Sequence, residues 1–382
     1  MIYKQYGKTG LNVSAVGFGG MRFDTTRSQA ENADLIHYAF DQGITWFDTA
    51  PGYCSDQSED IFGRAIKKLA PRREDFFIST KAMPADFPTA VNTRAAVAKS
   101  LRRLQTDYID FFYVWCIRSW PEYELAMKPG GMYEGLLQCR EEGLIRHIAV
   151  STHLRGERVE QLLSKNEFEG VLLGVNLLNF LYRWKGVKAA ARMGLGVAAM
   201  NPLAGGIIPS HEKELAFLGT EGQPPTEAAL RFCLSCPQIT VTLNGFTTKD
   251  HIDTACRAAD RAKPLTDEEI TRIRSHVTEK MDRLCTGCQY CMDKCPRQIP
   301  IASFMQFYNN KILAGKTNQE MSKDLDFQKK WGFLVDRMAE AEDCIRCGRC
   351  EMACTQHLDI IHRLEEIAGW ERAYKDSKSS PQ

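Results

Sequence analysis

The sequence predicts an α/β protein in which a (β/α)8 TIM barrel is followed by a smaller, α-rich domain. Strand-like runs alternate with longer amphipathic stretches through about the first 260 residues, which is the pattern of a barrel. Near the C-terminus, eight of the 14 cysteines form two runs of equal spacing. With 382 residues and 44% hydrophobic content, the chain can build one large core and a second, smaller one.

The strand candidates are short runs rich in β-branched and aromatic residues. They are 13–18, 45–50, 76–82, 108–115, 146–152, 170–178, 196–201 and 239–245. Helix-like periodicity lies between them, most clearly at 30–42, 89–104, 157–166 and 227–235. Eight strand–helix units favour a closed barrel over an open doubly wound sheet, which usually has fewer units. Functional side chains are therefore expected just past the strand ends.

Three segments follow from this pattern. The barrel is predicted to cover 1–264, because the strand–helix alternation stops there. The second domain is predicted to cover 265–374, and its first helix begins with a threonine N-cap and an acidic first turn at 266–269. The polar residues 375–382 are predicted to form a disordered tail.

An insert, 296–343, separates the two cysteine runs. It is far longer than the spacer of a minimal ferredoxin, and it contains two stretches with helical periodicity. We predict helices at 302–313 and 325–342, both packing against the barrel.

Both cysteine runs have the spacing C-x2-C-x2-C-x3-C. This spacing places three thiolates around one 4Fe-4S cube, and in two-cluster ferredoxins the fourth cysteine ligates the other cluster. The predicted ligand sets are therefore Cys285, Cys288, Cys291 and Cys354 for one cluster, and Cys344, Cys347, Cys350 and Cys295 for the other. A pair of structural zinc sites is the alternative, but zinc ribbons use two C-x2-C pairs and would leave the third cysteine of each run unused.

Composition bears on location and partners. Thiolates at cluster spacing, a start without an apolar signal core and the lack of an 18-residue apolar run predict the reducing cytoplasm. The net charge of +1 is uninformative, and no basic stripe indicates nucleic acid. We therefore expect neither a nucleic-acid nor a membrane partner.

Three segments of the barrel carry a family resemblance. They are Tyr-Gly-Lys-Thr-Gly-Leu-Asn-Val-Ser at 6–14, Trp-Phe-Asp-Thr-Ala-Pro-Gly-Tyr at 46–53 and Ser-Thr-Lys at 79–81. Together they resemble the aldo-keto reductase family, and with the cysteine runs the chain resembles the branch that carries a dicluster ferredoxin-like domain. The first segment is not a phosphate loop, because its second glycine is not followed by Lys and Ser or Thr.

This resemblance implies an enzyme that binds NADPH or NADH and interconverts a carbonyl and an alcohol. Tyr53 would donate the proton, and Lys81, held by Asp48, would assist it. A phenol has an ordinary pKa of ~10. A neighbouring ammonium stabilises the phenolate and so makes proton transfer easier.

The family's usual histidine near the end of the fourth strand is missing. The matching position, five residues after Asp110, is Trp115. An indole has one N–H donor and no acceptor, so it cannot transfer a proton as imidazole does. Trp115 either packs the barrel mouth or marks a different reaction. Cys116 and His153 are the candidate substrate contacts.

The resemblance also implies a set of cofactor-binding residues. They are Gly20, Met21, Ser151, Asn176, Met200, Asn201, Pro202, Leu203, Gly205, Asn244, Gly245 and Lys249. Ser151 and Asn176 would hold the nicotinamide carboxamide, and Met200 would stack on its ring. The loop at 201–206 would bring backbone N–H groups to the pyrophosphate. Lys249 alone bears on the choice between NADPH and NADH.

Two redox modules in one chain leave several functions open. A hydride carries two electrons, whereas each cluster passes one, so a relay needs a flavin, a radical-tolerant substrate or another donor. The leading hypothesis is a carbonyl or alcohol oxidoreductase whose clusters relay electrons to a small redox protein such as ferredoxin, or serve as structure. One alternative is a non-standard redox enzyme that reduces an alkene or uses electrons from the clusters. The other is a non-enzymatic electron-transfer protein on a degenerate barrel.

Overall fold

The computed structural model describes residues 1–117, 119–154, 156–213, 215–219, 223–280, 284–285, 291–331, 339–354 and 358–379. An antiparallel hairpin comes first, formed by β1 (Tyr3–Gln5) and β2 (Asn12–Ser14). It is separate from the main sheet.

Eight parallel strands form a closed barrel. They are β3 (Val16–Gly19), β4 (Trp46–Asp48), β5 (Phe77–Ala82), β6 (Ile109–Ile117), β7 (Ile145–Thr152), β8 (Gly170–Gly174), β9 (Gly196–Met200) and β10 (Val241–Asn244). Consecutive strands pair in order, and β10 closes the ring by pairing with β3. The predicted fold class is confirmed, because each predicted strand run overlaps one barrel strand.

The first part of the chain contributes eleven helices among the described residues. They are α1 (Gln29–Asp41), α2 (Tyr53–Asp56), α3 (Ser58–Leu69), α4 (Ala90–Leu104), α5 (Trp120–Met127), α6 (Met132–Glu141), α7 (Gly156–Leu163), α8 (Phe180–Arg192), α9 (Ile207–Ser210), α10 (Pro225–Ser235) and α11 (Lys249–Asp260). Side-chain caps define the N-termini of several helices. Ser28 and Glu31 form a capping box at α1, and Thr89 and Thr248 accept backbone N–H groups at α4 and α11.

The amino end of the barrel is filled by aromatic side chains. The Tyr6 ring is stacked on Trp46 with 4.8 Å between ring centroids, and it contacts Phe111 at 4.7 Å. Gly170 and Gly196 start β8 and β9, and a Cβ atom at either position would lie within 2.5 Å of the Tyr6 side chain. Glycine is therefore required at both strands, and a ligand has to enter from the carboxyl end.

The remaining helices form the α-rich second part of the chain. They are α12 (Asp267–Lys280), α13 (Ile301–Ala314), α14 (Asn318–Trp331), α15 (Arg349–Met352) and α16 (Ile360–Ser379). A second hydrophobic core joins α13 to α16, through contacts such as Phe307 against Trp370 with 5.9 Å between ring centroids. Leu284 and Leu313 instead belong to the core of the barrel.

The prediction that both insert helices pack against the barrel is corrected in part by this packing. Both α13 and α14 pack on α16, and α13 also contacts α9 of the barrel and contributes Leu313 to the barrel core. The second helix also begins before residue 325, because Thr317 and Glu320 cap it reciprocally, with Thr317 N–H donating to Glu320 over 2.8 Å. The structure describes this helix up to Trp331, and the predicted stretch 332–338 lies outside the described residues.

The prediction of a disordered tail is wrong for residues 375–379. They continue α16 to Ser379, and Lys375 pairs with Glu342 over 3.1 Å. Residues 380–382 lie outside the described part of the chain. Within the part that is described, no helix has both the length and the apolar content to cross a bilayer.

Candidate active site and cluster sites

Asp48 and Lys81 lie on neighbouring strands towards the carboxyl end of the barrel. Lys81 Nζ donates to Asp48 Oδ2 over 2.6 Å, and both side chains are buried. Ser79 Oγ donates to the other carboxylate oxygen over 2.7 Å. Both oxygens of Asp48 are therefore satisfied, which is what an ion pair needs to remain charged away from water.

Tyr53 stands over this ion pair as the first residue of α2. Its ring centroid lies 5.1 Å from Lys81 Nζ. Burial raises the pKa of Tyr53, and the opposing effect of Lys81 does not cancel it. Burial also lowers the pKa of Lys81, but attraction to Asp48 and Tyr53 outweighs burial and raises it overall. At neutral pH the pair is therefore a phenol beside an ammonium.

The backbone turn after Tyr53 is strained. Cys54, Ser55 and Asp56 have φ values of 52°, 54° and 63°, and left-handed backbone costs a non-glycine residue about 1–3 kcal/mol. Arg103 from α4 holds this turn, because its Nη1 contacts Asp56 Oδ1 at 2.7 Å and its Nη2 donates to the Asp56 carbonyl. Sequence reasoning missed Arg103, since only its position late in a helix was visible.

Trp115 and Cys116 lie at an irregularity near the end of β6. The pairing register with β7 shifts between Val114 and Ile117, and buried Cys116 has a φ of 64°. Such a bulge re-aims side chains. The Trp115 ring meets the Tyr53 ring edge-on, with 5.7 Å between centroids. His153 follows β7, and its backbone N–H donates to Ile117 over 3.1 Å.

Two predicted cofactor residues carry buried polar atoms that have no hydrogen-bond partner among the described residues. They are Ser151 Oγ near the end of β7 and Asn244 Oδ1 at the end of β10. Buried polar atoms are normally paired, so these two atoms suit a ligand at the barrel mouth. Met200 ends β9 between them in chain order and is half-buried.

The loop after β9 contains left-handed backbone turns, which its glycines allow. Left-handed φ values occur at Asn201 (65°), Ala204 (52°), Gly205 (72°) and Gly206 (100°). Successive N–H groups in such turns form concave anion sites. In the same loop Pro202 is buried, Leu203 is half-buried and α9 follows directly.

Asn176 is engaged inside the protein. Its Oδ1 accepts N–H groups from Leu178 and Asn179 at 2.9 and 3.1 Å, and its Nδ2 donates to the Asn201 carbonyl over 3.1 Å. It therefore organises the turn after β8 and ties that turn to the loop after β9. One amide hydrogen remains for the predicted contact with a carboxamide.

Packing explains the two other predicted glycines. A Cβ atom at Gly20 would lie 2.4 Å from Ser58 Oγ, and one at Gly245 would lie 2.6 Å from Arg22 Cγ. Met21 is exposed beside Gly20. Lys249 begins α11, and its Nζ lies 4.8 Å from the centroid of the Tyr38 ring.

Two further cations near β10 were missed by sequence reasoning. Arg22 packs against Gly245, and Arg27 Nη1 donates to the Thr247 carbonyl over 3.0 Å. Both come from the segment after β3, which pairs with β10 only when the barrel closes. No local signal in the sequence could have connected them to Lys249.

The structure brings one predicted cluster set together. A single cavity is lined by Cys295 from the first run and by Cys344, Cys347 and Cys350 from the second. Among the described residues, no three His, Cys, Asp or Glu side chains converge on a single-ion site.

The other predicted set is described in part. Cys285 and Cys291 are buried in the second core and Cys354 packs against it, whereas Cys288 lies outside the described residues. Asn309 on α13 fixes Cys285 by accepting from its N–H at 2.8 Å and donating to its carbonyl at 2.9 Å. Because Leu284 is part of the barrel core, this set lies on the barrel side of the domain.

The comparisons with known proteins agree with this architecture. Residues 15–216 match the Aldo/keto reductase family, and residues 284–359 match a 4Fe-4S dicluster domain. The chain therefore belongs to the aldo/keto reductase family, and it is an oxidoreductase of that family with a C-terminal 4Fe-4S dicluster domain.

Its relatives match mainly over the length of a barrel. The uncharacterized oxidoreductase YqkF of Bacillus subtilis is 24% identical over 311 residues, covering 72% of this chain and 96% of the relative. L-galactose dehydrogenase of Arabidopsis thaliana is 26% identical over 293 residues, covering 68% of this chain and 88% of the relative. The holo structure of aldo-keto reductase AKR11C1 from Bacillus halodurans aligns with a TM-score of 0.61 at 26% identity, covering 72% of this chain and 96% of that one.

Proposed function

We propose that this oxidoreductase interconverts a carbonyl and an alcohol with NADPH or NADH. The observation that carries the proposal is the buried Lys81–Asp48 pair, 2.6 Å long, directly beneath the Tyr53 ring. A phenol next to a buried ammonium at the open end of a barrel is suited to give a proton to a carbonyl oxygen and to take it back from an alcohol.

The residues present fit a nicotinamide cofactor. The hydroxyl of Ser151 and the amide oxygen of Asn244 are buried and available for hydrogen bonds. The left-handed loop from Asn201 suits a pyrophosphate, and Arg22 and Lys249 supply positive charge near the end of β10. When bound, this cofactor supplies or accepts the hydride.

The protein's own part in the reaction is proton transfer and orientation. Tyr53 donates its phenolic proton to the substrate oxygen during reduction. Lys81 stabilises the resulting phenolate, and Asp48 keeps Lys81 charged and directed at Tyr53. A correctly positioned proton donor contributes roughly 10²- to 10⁴-fold to a rate. Trp115 forms a wall of the substrate space beside the Tyr53 ring.

The direct test is anaerobic titration of the holoprotein with NADPH and NADH, followed by addition of a panel of aldehydes, ketones and alcohols. We expect nicotinamide absorbance to change only when a substrate is present. Ser151→Ala should weaken cofactor binding, because it removes the buried hydroxyl. If neither nucleotide binds or turns over with any carbonyl or alcohol, the proposal is wrong.

We also propose that the dicluster domain holds two 4Fe-4S clusters with exchanged fourth ligands. The shared cavity of Cys295 with the second cysteine run supports this assignment. Anaerobically reconstituted protein should contain about eight irons per chain. Cys295→Ser should damage the cluster on Cys344, Cys347 and Cys350, and Cys354→Ser should damage the other. Loss of the sequence-adjacent cluster in both variants would contradict the exchange.

The placement of the two sets favours a relay over a purely structural role. One set lies next to the barrel through Leu284, and the other includes the exposed Cys347. Because a hydride carries two electrons and each cluster passes one, a relay between the barrel side and a small redox protein needs a radical-tolerant substrate that gives or takes electrons singly. Cluster bleaching on addition of substrate and cofactor under anaerobic conditions would support the relay. If the clusters stay oxidised through many turnovers, their role is structural.

A second candidate function is a redox reaction other than carbonyl reduction. It is favoured by the edge-on contact of Trp115 with Tyr53 and by the bulge at Cys116, where the family's histidine is absent. Trp115→His decides between the two. For a carbonyl site, a restored imidazole donor should raise aldehyde reduction. For another reaction, the variant should lose native turnover without gaining aldehyde reduction, since ~1 Å of misplacement can cost ~100-fold.

A further inference from the structure

The helix α13 lies beside the predicted ligands of one cluster. These ligands are Cys285, Cys288, Cys291 and Cys354, and their cluster is called the inner cluster. Two residues of α13 contact Cys285. The carbonyl oxygen of Ala302 lies 3.9 Å from Cys285 Sγ, and Asn309 bonds both the N–H and the carbonyl of Cys285. The site of the inner cluster therefore lies against this helix.

Gln306 lies between these two contacts on α13. It comes four residues after Ala302 and three before Asn309, so the three side chains share one face of the helix. Leu313, one turn further along the same face, packs in the core of the barrel. Gln306 therefore faces the side of the domain that contains Cys285 and meets the barrel.

The amide of Gln306 is buried without a complete set of hydrogen bonds. The residue is 5% exposed, and its Oε1 atom has no hydrogen-bond partner among the described residues. Asn309 differs, since its oxygen accepts from Cys285 at 2.8 Å and its nitrogen donates to Cys285 over 2.9 Å. A buried amide that lacks partners costs free energy, so a further group is expected beside Gln306.

The chemistry of the amide indicates which group this is. A half-turn about the last side-chain bond exchanges the positions of the amide oxygen and the NH2 group. A 4Fe-4S cluster and its cysteine thiolates offer sulfur acceptors and no donors. A cluster next to Gln306 therefore selects the NH2 group.

Burial makes such a hydrogen bond important for electron transfer. Cys285 and Cys291 are buried, whereas Cys347 in the other set is exposed. Reduction adds one negative charge to a cluster, and burial disfavours that charge. A donor to the cluster sulfur opposes this effect, because hydrogen bonds to the sulfurs are among the factors that set the reduction potential.

We propose that the NH2 group of Gln306 donates a hydrogen bond to a sulfur of the inner cluster and raises the reduction potential of that cluster. This role rests on the proposed assignment of two clusters. One electron enters the oxidised cluster, and no bond or proton is exchanged. The electron is then held more firmly at the cluster next to the barrel.

The test is an anaerobic redox titration of the reconstituted holoprotein, followed by electron paramagnetic resonance. Gln306→Met keeps the length of the side chain and removes the donor. One of the two midpoint potentials should fall, because reduction becomes about tenfold less favourable, which is about 59 mV for a one-electron couple. The other potential should not change, and about eight irons per chain should remain bound.

The matched control is Ser322→Ala, which removes a buried polar group from the same hydrophobic core. Ser322 lies on α14, where its Oγ donates to the Trp370 carbonyl over 2.9 Å. Both midpoint potentials should equal those of the wild type. An equal fall in Ser322→Ala would overturn the proposal. Unchanged potentials in Gln306→Met would overturn it too, and would mean that the amide bonds a buried water.

A measurement on the wild-type protein covers the case in which Gln306→Met does not retain its clusters. Isotope labelling of the glutamine side-chain nitrogen should produce a magnetic coupling to a reduced cluster in electron–nuclear double resonance. The absence of this coupling in protein that holds both clusters would overturn the role of Gln306.

These outcomes are distinct from failure of the proposed function. A protein that binds no clusters would overturn the cluster assignment. A protein that holds both clusters, with potentials that do not respond to Gln306→Met, would overturn the role of Gln306 alone. A protein without carbonyl turnover would overturn the enzymatic proposal and leave the result of the redox titration intact.

Discussion

The barrel contains two buried ion pairs of equal length at opposite ends. Near the amino ends of its strands, Arg73 Nη2 contacts Asp110 Oδ2 at 2.6 Å. Towards the carboxyl ends, Lys81 Nζ contacts Asp48 Oδ2, also at 2.6 Å. The two pairs have equal lengths and differ little in burial, with Arg73 12% and Lys81 1% exposed, so their roles depend on what surrounds them.

The Arg73–Asp110 pair is surrounded by backbone. Arg73 also donates to the carbonyls of Phe76 and Tyr108, each over 3.0 Å, and Asp110 accepts the N–H of Ile78 over 2.9 Å. The bond to Tyr108 links the turn before β5 to the start of β6, and the bond from Ile78 links β5 to β6. The pair therefore stabilises the fold, as expected for the amino end of such a barrel.

The Lys81–Asp48 pair is surrounded by side chains that face the barrel mouth. Its ammonium lies beneath Tyr53, whose ring contacts Trp115. A buried ion pair therefore indicates chemistry only where it faces a group that can exchange a proton. Four variants test this contrast.

Tyr53→Phe should have the largest effect. Removing the phenolic proton should lower kcat roughly 10²- to 10⁴-fold, while nucleotide affinity stays unchanged because the ring is kept. The control is Tyr108→Phe beside the other ion pair, whose hydroxyl bonds to Glu74 over 2.8 Å. Steady-state kinetics and nucleotide titration measure both. Full activity in Tyr53→Phe would mean that the Lys81–Asp48 pair does not support proton transfer.

Arg73→Met should destabilise the protein without impairing chemistry. It leaves Asp110 buried without its main partner, with Arg146 3.7 Å away, which should cost about 3–5 kcal/mol. The control is Arg72→Met, which breaks an exposed pair with Asp75 and a contact with the Phe40 ring at 4.4 Å, and should cost about 1 kcal/mol. Chemical unfolding gives the two free energies. A loss of kcat in folded Arg73→Met would mean that the ion pair at the amino end of the barrel also affects the reaction.

Asp48→Asn should make turnover depend on pH. Without the carboxylate, burial lowers the pKa of Lys81 with less opposition, so the ammonium is lost at lower pH than in the wild type. We expect kcat to fall on the order of 10²-fold, with a larger loss at alkaline than at acidic pH. Wild-type turnover should persist to higher pH, because its Lys81 pKa lies above the ordinary value. Parallel pH profiles for both proteins would exclude this role of Asp48.

Arg103→Met should have the smallest effect of the four. Arg103 touches no reacting atom in the proposed mechanism, but it holds the strained turn that positions Tyr53. We expect kcat to fall about tenfold with KM nearly unchanged, because small displacements of a proton donor slow the reaction. Arg103→Lys should restore part of the loss. The neighbouring exposed Arg102→Met is the control, and equal kinetics for both arginine variants would remove the positioning role.

Much of the fold followed from local patterns. The strand runs were visible because buried parallel strands concentrate β-branched and aromatic residues, and turns separate them. The helix α14 starts before its predicted first residue, because the capping residues Thr317 and Glu320 precede the apolar periodicity on which the prediction rested. The polarity of residues 375–379 predicts disorder, whereas α16 extends through them with Lys375 paired to Glu342.

By itself, the sequence determined the barrel class and the two cysteine runs, since both depend on spacing along the chain, and its family resemblance led to the proposed roles of Asp48, Tyr53 and Lys81. Only the tertiary structure decided that Trp115 contacts Tyr53, that Arg103 holds the turn after it, and that Arg22 lies beside Gly245. These contacts join distant segments, and their geometry arises when the barrel closes. Local periodicity carries no information about which distant side chains closure brings together.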